Sequence, residues 1–158
     1  MSYDSTHDTQ EHIFKVAHNL GAIMSNLGNR SLVHDRSKFG PVEKEAFDLL
    51  TPRLKNLQYG SEEYRASLRE MKPALRHHYE HNAHHPEHYP NGILDMSLLD
   101  ILEMLADWKA AGERHDPPNS LDKSIAYNAE RFNIPPYLTT ILYNTARELS
   151  WVPAKQND

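Results

Sequence analysis

From about Glu11 to Leu27 the apolar residues Ile13, Val16, Ala17, Leu20, Ile23, Met24 and Leu27 recur at three- and four-residue steps, the period of a helix with one apolar stripe. Nowhere does that period give way to the two-residue alternation and hairpin punctuation of strands. Such a chain buries its apolar groups along helix faces, and the fold class it predicts is all-α, a bundle of six or seven helices. Turn residues then mark the joints. Gly28-Asn29 is read as closing the first helix, Ser31 to Asp35 as a short second one, and Gly40-Pro41 as a break before Val42 to Leu50, whose first-turn acids suit the helix dipole. Thr51-Pro52 ends that segment and Arg53 to Gly60 reads as a loop. Ser61 is the next N-cap, followed by Glu62 and Glu63, and its helix runs towards a histidine cluster. Pro86 and Pro90-Asn91-Gly92 enforce an irregular loop.

Ser97-Leu98-Leu99-Asp100 fits a capping box and opens the most apolar helix, expected at the centre of the fold, running to about Ala111 with Gly112 just past its end. Asp116-Pro117-Pro118-Asn119 reads as a turn, Ser120 to Phe132 as a helix, and Pro135-Pro136 as the start of another through Tyr137 to Trp151. At 158 residues the chain suits a single domain over 1–158, with frayed tails at 1–9 and 154–158. No repeat of fixed period interrupts it.

Composition removes several function classes. Seventeen Lys and Arg against twenty-two Asp and Glu give a formal charge of −5 with no basic run, which argues against polymeric nucleic acid as partner. The absence of cysteine excludes disulfides and thiolate metal sites. Met1-Ser2-Tyr3-Asp4 has neither a basic nor an apolar stretch, and no segment approaches the roughly 18 apolar residues of a membrane span. A soluble, cytoplasmic protein with no membrane partner is therefore expected.

Histidine carries the chemical signal. Of eleven histidines, six (His77, His78, His81, His84, His85, His88) fall within twelve positions, and an adjacent pair, His34-Asp35, sits behind the apolar run Leu32-Val33. Imidazole and carboxylate are the ligands of zinc, iron, manganese and similar ions. An isolated His-Asp pair is more often a helix cap, and a His-rich tract can bind metal adventitiously at a surface. Interleaved Asn82 and Glu87, with two prolines fixing the backbone, favour a defined site. Asp107 lies in the apolar run Ile101 to Trp108, where a lone buried carboxylate costs several kcal/mol, roughly. It needs a positive group, a metal or an arginine from elsewhere. Asp100 is explained by capping alone. His12 and His18 compete as a further ligand near the apolar face of the first helix.

The order His12…His34-Asp35…Asp107, with Lys38 completing His34-Asp35-Arg36-Ser37-Lys38, resembles the HD-domain superfamily of metal-dependent phosphohydrolases over about Glu11 to Ala111. His84-His85-Pro86-Glu87 followed by Asp107 is similar to the HD-GYP phosphodiesterase branch, where added histidines build a second metal site. Ser37 in place of that branch's glycine, the missing GYP triplet and the short spacing to His84-His85 argue against cyclic dinucleotide cleavage. The strings at His84 to His88 and Asp107 to Ala111 resemble a family of small uncharacterised HD-like proteins of phages and bacteria.

The resemblance implies an HD-like bundle holding one or two divalent ions (Mn, Co, Zn, Mg or Fe), the first through His12, His34, Asp35 and Asp107, the second through His78 and His85. His84 is then a third ligand or a proton donor, Glu87 an alternative donor, Lys38 a neutraliser of phosphoryl charge, and Arg131 a second phosphate contact. The expected activity is hydrolysis of a nucleotide or another small phosphate ester. Tyr79, Tyr89, Trp108 and Tyr127 are available to stack on a base or to pack in the core. Two other classes stay open: an HD-type diiron oxygenase, and a non-catalytic, metal-stabilised binding module. A homo-oligomer also stays open.

Overall fold

The apolar stripes do become helices. The computed structural model describes residues 3–58, 61–114 and 119–153, and among these all regular structure is helical: seven α-helices and three short 3₁₀ turns. The chain divides into two compact units, Met1–His34 and Asp35–Asp158. Residues 116–118 of the expected 116–119 turn, residues 1–2 of the expected 1–9 tail and the 154–158 tail lie outside the described residues, and residues 6–9, expected to fray, are the start of a helix.

The first unit is the helix α1, Thr6–Val33. It does not stop at Gly28-Asn29 but continues through them, so the separate Ser31 to Asp35 helix is absent. A glycine inside a helix costs only about 1 kcal/mol, and local bonds support this stretch: Ser31 Oγ donates to Gly28 O at 2.7 Å and Arg30 Nε to Asn26 Oδ1 at 3.0 Å.

The second unit begins with a 3₁₀ turn, Arg36–Phe39. α2 (Pro41–Lys55) continues past Pro52, contrary to the expected stop. Proline removes one donor, but it lies in the last turns of the helix, and Asn56 Nδ2 donates to Pro52 O at 3.1 Å. Ser61 caps α3 (Glu62–Glu70) by accepting from Tyr64 N. That helix stops at Met71, one residue before α4 (Lys72–His81) restarts the chain with a proline in its first turn. Two 3₁₀ turns, Pro86–His88 and Gly92–Asp95, occupy the expected irregular loop. α5 (Leu98–Glu113) opens on the expected box, Ser97 Oγ accepting from Asp100 N while Asp100 Oδ2 accepts from Ser97 N. Asp100 also accepts from the Tyr89 hydroxyl at 2.9 Å, which binds the preceding loop to the helix. Gly112 lies inside α5, and a Cβ there would come within 2.8 Å of Asn119 O. α6 (Leu121–Arg131) and α7 (Pro136–Glu148) complete the chain.

The most apolar helix is central, as its composition requires. Ile101, Met104 and Leu105 of α5, Leu121 and Ile125 of α6 and Leu142 and Ala146 of α7 form one buried cluster. Trp108 and Phe132 lie parallel at its edge, with ring centroids 6.5 Å apart. α2 packs against α3 and α4, with Leu50, Met71 and Ala74 buried among these helices. Both the Arg36–Phe39 and Pro86–His88 turns contact α4. No helix among the described residues is long and apolar enough to cross a membrane.

Candidate metal centre

Asp35 opens the second unit in a left-handed conformation (φ 56°), which aspartate tolerates better than most non-glycine residues. The bend aims its carboxylate at α4. There His78, 2% exposed, brings Nε2 to 3.2 Å from Asp35 Oδ1. α4 ends three residues later, and Asn82 fixes the exit by donating from Nδ2 to His78 O at 2.7 Å and to Ser37 Oγ at 2.8 Å. The chain turns there, with His85 N donating to Asn82 O, and returns two more imidazoles. His84 Nε2 lies 3.5 Å from Asp35 Oδ1, and His85 Nε2 lies 2.9 Å from His78 Nε2. One donor atom from each of Asp35, His78, His84 and His85 falls within 4.8 Å of the others.

Two acids behind the cluster escape a reading of the sequence. Glu43, on α2, is fully buried. Its Oε2 lies 3.0 Å from His78 Nδ1 and its Oε1 2.8 Å from His77 Nδ1. A carboxylate can only accept, so each Nδ1 carries the hydrogen and His78 Nε2 is left with its lone pair facing Asp35. On α5, Glu103 Oε1 lies 3.3 Å from His84 Nδ1 and orients that ring in the same way. Carboxylates behind ligating imidazoles are the usual outer support of metal sites.

Three imidazole nitrogens and one carboxylate oxygen form the donor set of a divalent transition ion. Bonds of about 2 Å to a shared ion require donors no more than about 4 Å apart, and the separations of 2.9, 3.2 and 3.5 Å meet that limit. The group can hold a metal ion. Its electrostatics agree. Burial pushes the Asp35 carboxyl up, but the neighbouring His78 and the charge and hydrogen bond of Lys38 outweigh it and hold the group well below the usual carboxylate range. Burial, reinforced by the neighbouring His84 and His78, pushes His85 down to about 3 against the opposing charges of Asp107 and Asp35. His85 is thus neutral, as a ligand must be.

That depression predicts an acid-labile apo protein. Between pH 6.5 and about 3 the unfolded chain takes up a proton at His85 that the folded chain refuses, so stability rises with pH through this window and is lost as pH falls into it. Urea unfolding in chelator should show stability falling between about pH 6.5 and 5, this group contributing at most about 1.4 kcal/mol per pH unit. His85→Gln should flatten the slope. Equal slopes in both proteins would mean His85 is protonated in the fold.

Lys38 Nζ donates to Asp35 Oδ2 and lies 5.1 Å from the centre of the Phe47 ring, so it holds the carboxylate. A carboxylate oxygen of Asp107 lies within 4.8 Å of one of Asp35, and Asp107 and His85 both line a cavity of about 380 Å³. Glu87 Oε1 accepts from Arg131 at 2.6 Å, and Arg131 lines the same cavity. His12 is on α1 and His34 is its C-cap; both belong to the first unit. Of the remaining clustered histidines, His81 stacks on His77 with ring centroids 4.0 Å apart, and His88 Nδ1 bonds to Tyr79 O.

Residues 1–148 match the model of a family described as a family of unknown function (DUF5662), and the chain belongs to that family. No curated protein and no solved structure matches it.

Proposed function

We propose that this member of a family without assigned function is a metal-dependent phosphohydrolase acting on a small phosphate ester. One observation carries the reading: a buried three-imidazole, one-carboxylate group whose member His85 also lines a cavity of about 380 Å³, within the range of small-molecule sites. The HD-like order of the motifs supports the same reading. Asp35, His78, His84 and His85 would hold the ion, with Asp107 completing the donor set on the cavity side. A divalent ion held there supplies Lewis acidity towards water and a phosphoryl oxygen.

The protein's own groups do the rest. Lys38 keeps Asp35 ionised and in place. Glu43 and Glu103 fix two imidazole orientations. Arg131, held at the cavity wall by Glu87 and by the Tyr79 hydroxyl, supplies positive charge where a phosphate would enter. Burial and the charge of Glu87 push the Tyr79 phenol up, against the opposing charge of Arg131, so Tyr79 keeps its proton as a hydrogen-bond donor.

The test begins with elemental analysis of freshly purified protein, followed by incubation with a panel of phosphomonoesters and diesters in Mn, Mg, Co or Zn. Metal-dependent phosphate or alcohol release is expected, and chelator should abolish it. Tightly held iron with oxygen consumption and no hydrolysis would replace the proposal with an oxygenase. Stoichiometric metal that raises stability, with no turnover of any ester, would replace it with a binding module.

A further inference from the structure

The cavity that meets the cluster at His85 and Asp107 extends along α5 and α6 to Asn119 and Lys123. Lys123, Ser124, Tyr127, Asn128 and Arg131 line it from α6, a spacing that puts all five on one face of that helix. Eight residues separate Lys123 from Arg131, about 12 Å of helix. A phosphoryl group alone would occupy only the cluster end. The remaining length carries aromatic side chains: Trp108 on α5, stacked parallel to Phe132, and Tyr127 on α6.

Polar groups in this wall are few and placed. Asn128 is 7% exposed, and its Nδ2 donates to Ser124 O at 3.0 Å, so Oδ1 is its remaining acceptor. An amide on the wall of an aromatic cavity suits an edge-on hydrogen bond to a planar ligand better than apolar packing. At the far end, backbone approach fixes the wall, for a side chain at Gly112 would come within 2.8 Å of Asn119 O. Lys123 has no ion-pair partner among the described residues.

Resting on the hydrolase reading above, we infer that this cavity is the subsite for the organic part of the ester, and that it selects a planar, hydrogen-bonding ring of the nucleoside type, flanked by Trp108 and Tyr127 and bonded at its edge by Asn128. The phosphate then lies at the His85–Asp107 end, beside Arg131. A sugar phosphate or an alkyl phosphate leaves the aromatic half unfilled and Asn128 without its partner.

The ring contact is read without catalysis, because Trp108 lines the cavity and its emission reports occupancy. The full-length protein in chelator is titrated with adenosine, cytidine, adenosine monophosphate, cytidine monophosphate and ribose 5-phosphate. Saturable quenching by at least one nucleoside and its monophosphate is expected, with ribose 5-phosphate at least tenfold weaker. Asn128→Leu should weaken the nucleoside about tenfold, the value of one buried hydrogen bond of roughly 1.4 kcal/mol. Tyr127→Ala, at a residue that is 48% exposed and outside the buried cluster, should weaken it several-fold while leaving the melting temperature unchanged. Ribose 5-phosphate binding as tightly as the nucleotides, or affinities unchanged in both variants, would overturn the subsite. Ring-selective binding with no ester turned over in any metal would keep the subsite and overturn hydrolysis; turnover indifferent to the ring would do the reverse.

Discussion

Asp35→Asn should abolish tight divalent-ion binding and reduce ester hydrolysis by about a thousandfold, the scale seen when a preorganised electrostatic group is removed from a reacting centre. The substitution is chosen for its backbone. Asp35 sits at φ 56°, where alanine is strained and asparagine is not, so loss of function reports the lost charge and not a collapsed turn. Three groups converge on this carboxylate: His78 and His84 at Oδ1, Lys38 at Oδ2. Neutralising it leaves the imidazoles without their anionic partner and Lys38 beside a neutral amide. Added metal should stabilise the wild type by mass action, about 2.7 kcal/mol at a hundred times the dissociation constant, and should leave the variant's melting curve unmoved. Equal metal-induced shifts in the two proteins, or wild-type turnover in the variant, would remove Asp35 from the centre and the proposed function with it.

How much of this centre could be read from the chain alone depends on what each residue's local role conceals. The histidine cluster and the His-Asp pair are legible because nothing local explains so many imidazoles. Their division is not legible. His77 and His78 are neighbours on α4, yet only His78 faces Asp35, and His84 and His85 arrive through a loop whose path depends on Asn82 binding back to α4. Asp107 draws the eye for the opposite reason, as a carboxylate in an apolar helix, yet it is half-buried and lines the cavity, a placement the helical pattern does not give. Glu43 was hidden by a sufficient local explanation. An acid in the first turn of a helix suits the dipole, and nothing in that pattern distinguishes an exposed acid from one that is fully buried. Glu103 reads as a charge repelling Asp107 one turn away, whereas His84 lies beside it and supplies the polar partner.

The helix boundaries failed on related grounds. Gly28-Asn29 and Pro52 are stop signals with modest or local costs, and nearby side-chain bonds compensate. Where the signal was cooperative, as in the Ser97–Asp100 box, structure and sequence coincide.

Glu43→Gln separates a supporting role in the metal centre from a purely structural one. The carboxylate accepts from two imidazoles at once; an amide of the same shape offers one acceptor and one donor. One histidine must then lose its bond or exchange tautomers. If His78 does so, its proton moves to Nε2 and occupies the lone pair that faces Asp35, so metal affinity should fall about 10- to 100-fold, as for lost outer partners elsewhere. The buried mismatch should also cost roughly 1 to 3 kcal/mol of stability. His77→Ala removes the other partner, which is not in the donor group, and should leave metal affinity within a few-fold of wild type. Competition against a chromogenic chelator measures affinity, and urea unfolding of the apo proteins measures stability. Loss of stability with undiminished affinity in Glu43→Gln would make Glu43 a packing residue and free the His78 ring to ligate in either orientation. Loss of affinity in that variant alone would tie the fully buried acid to the orientation of His78 Nε2, and through it to the chemistry of the centre.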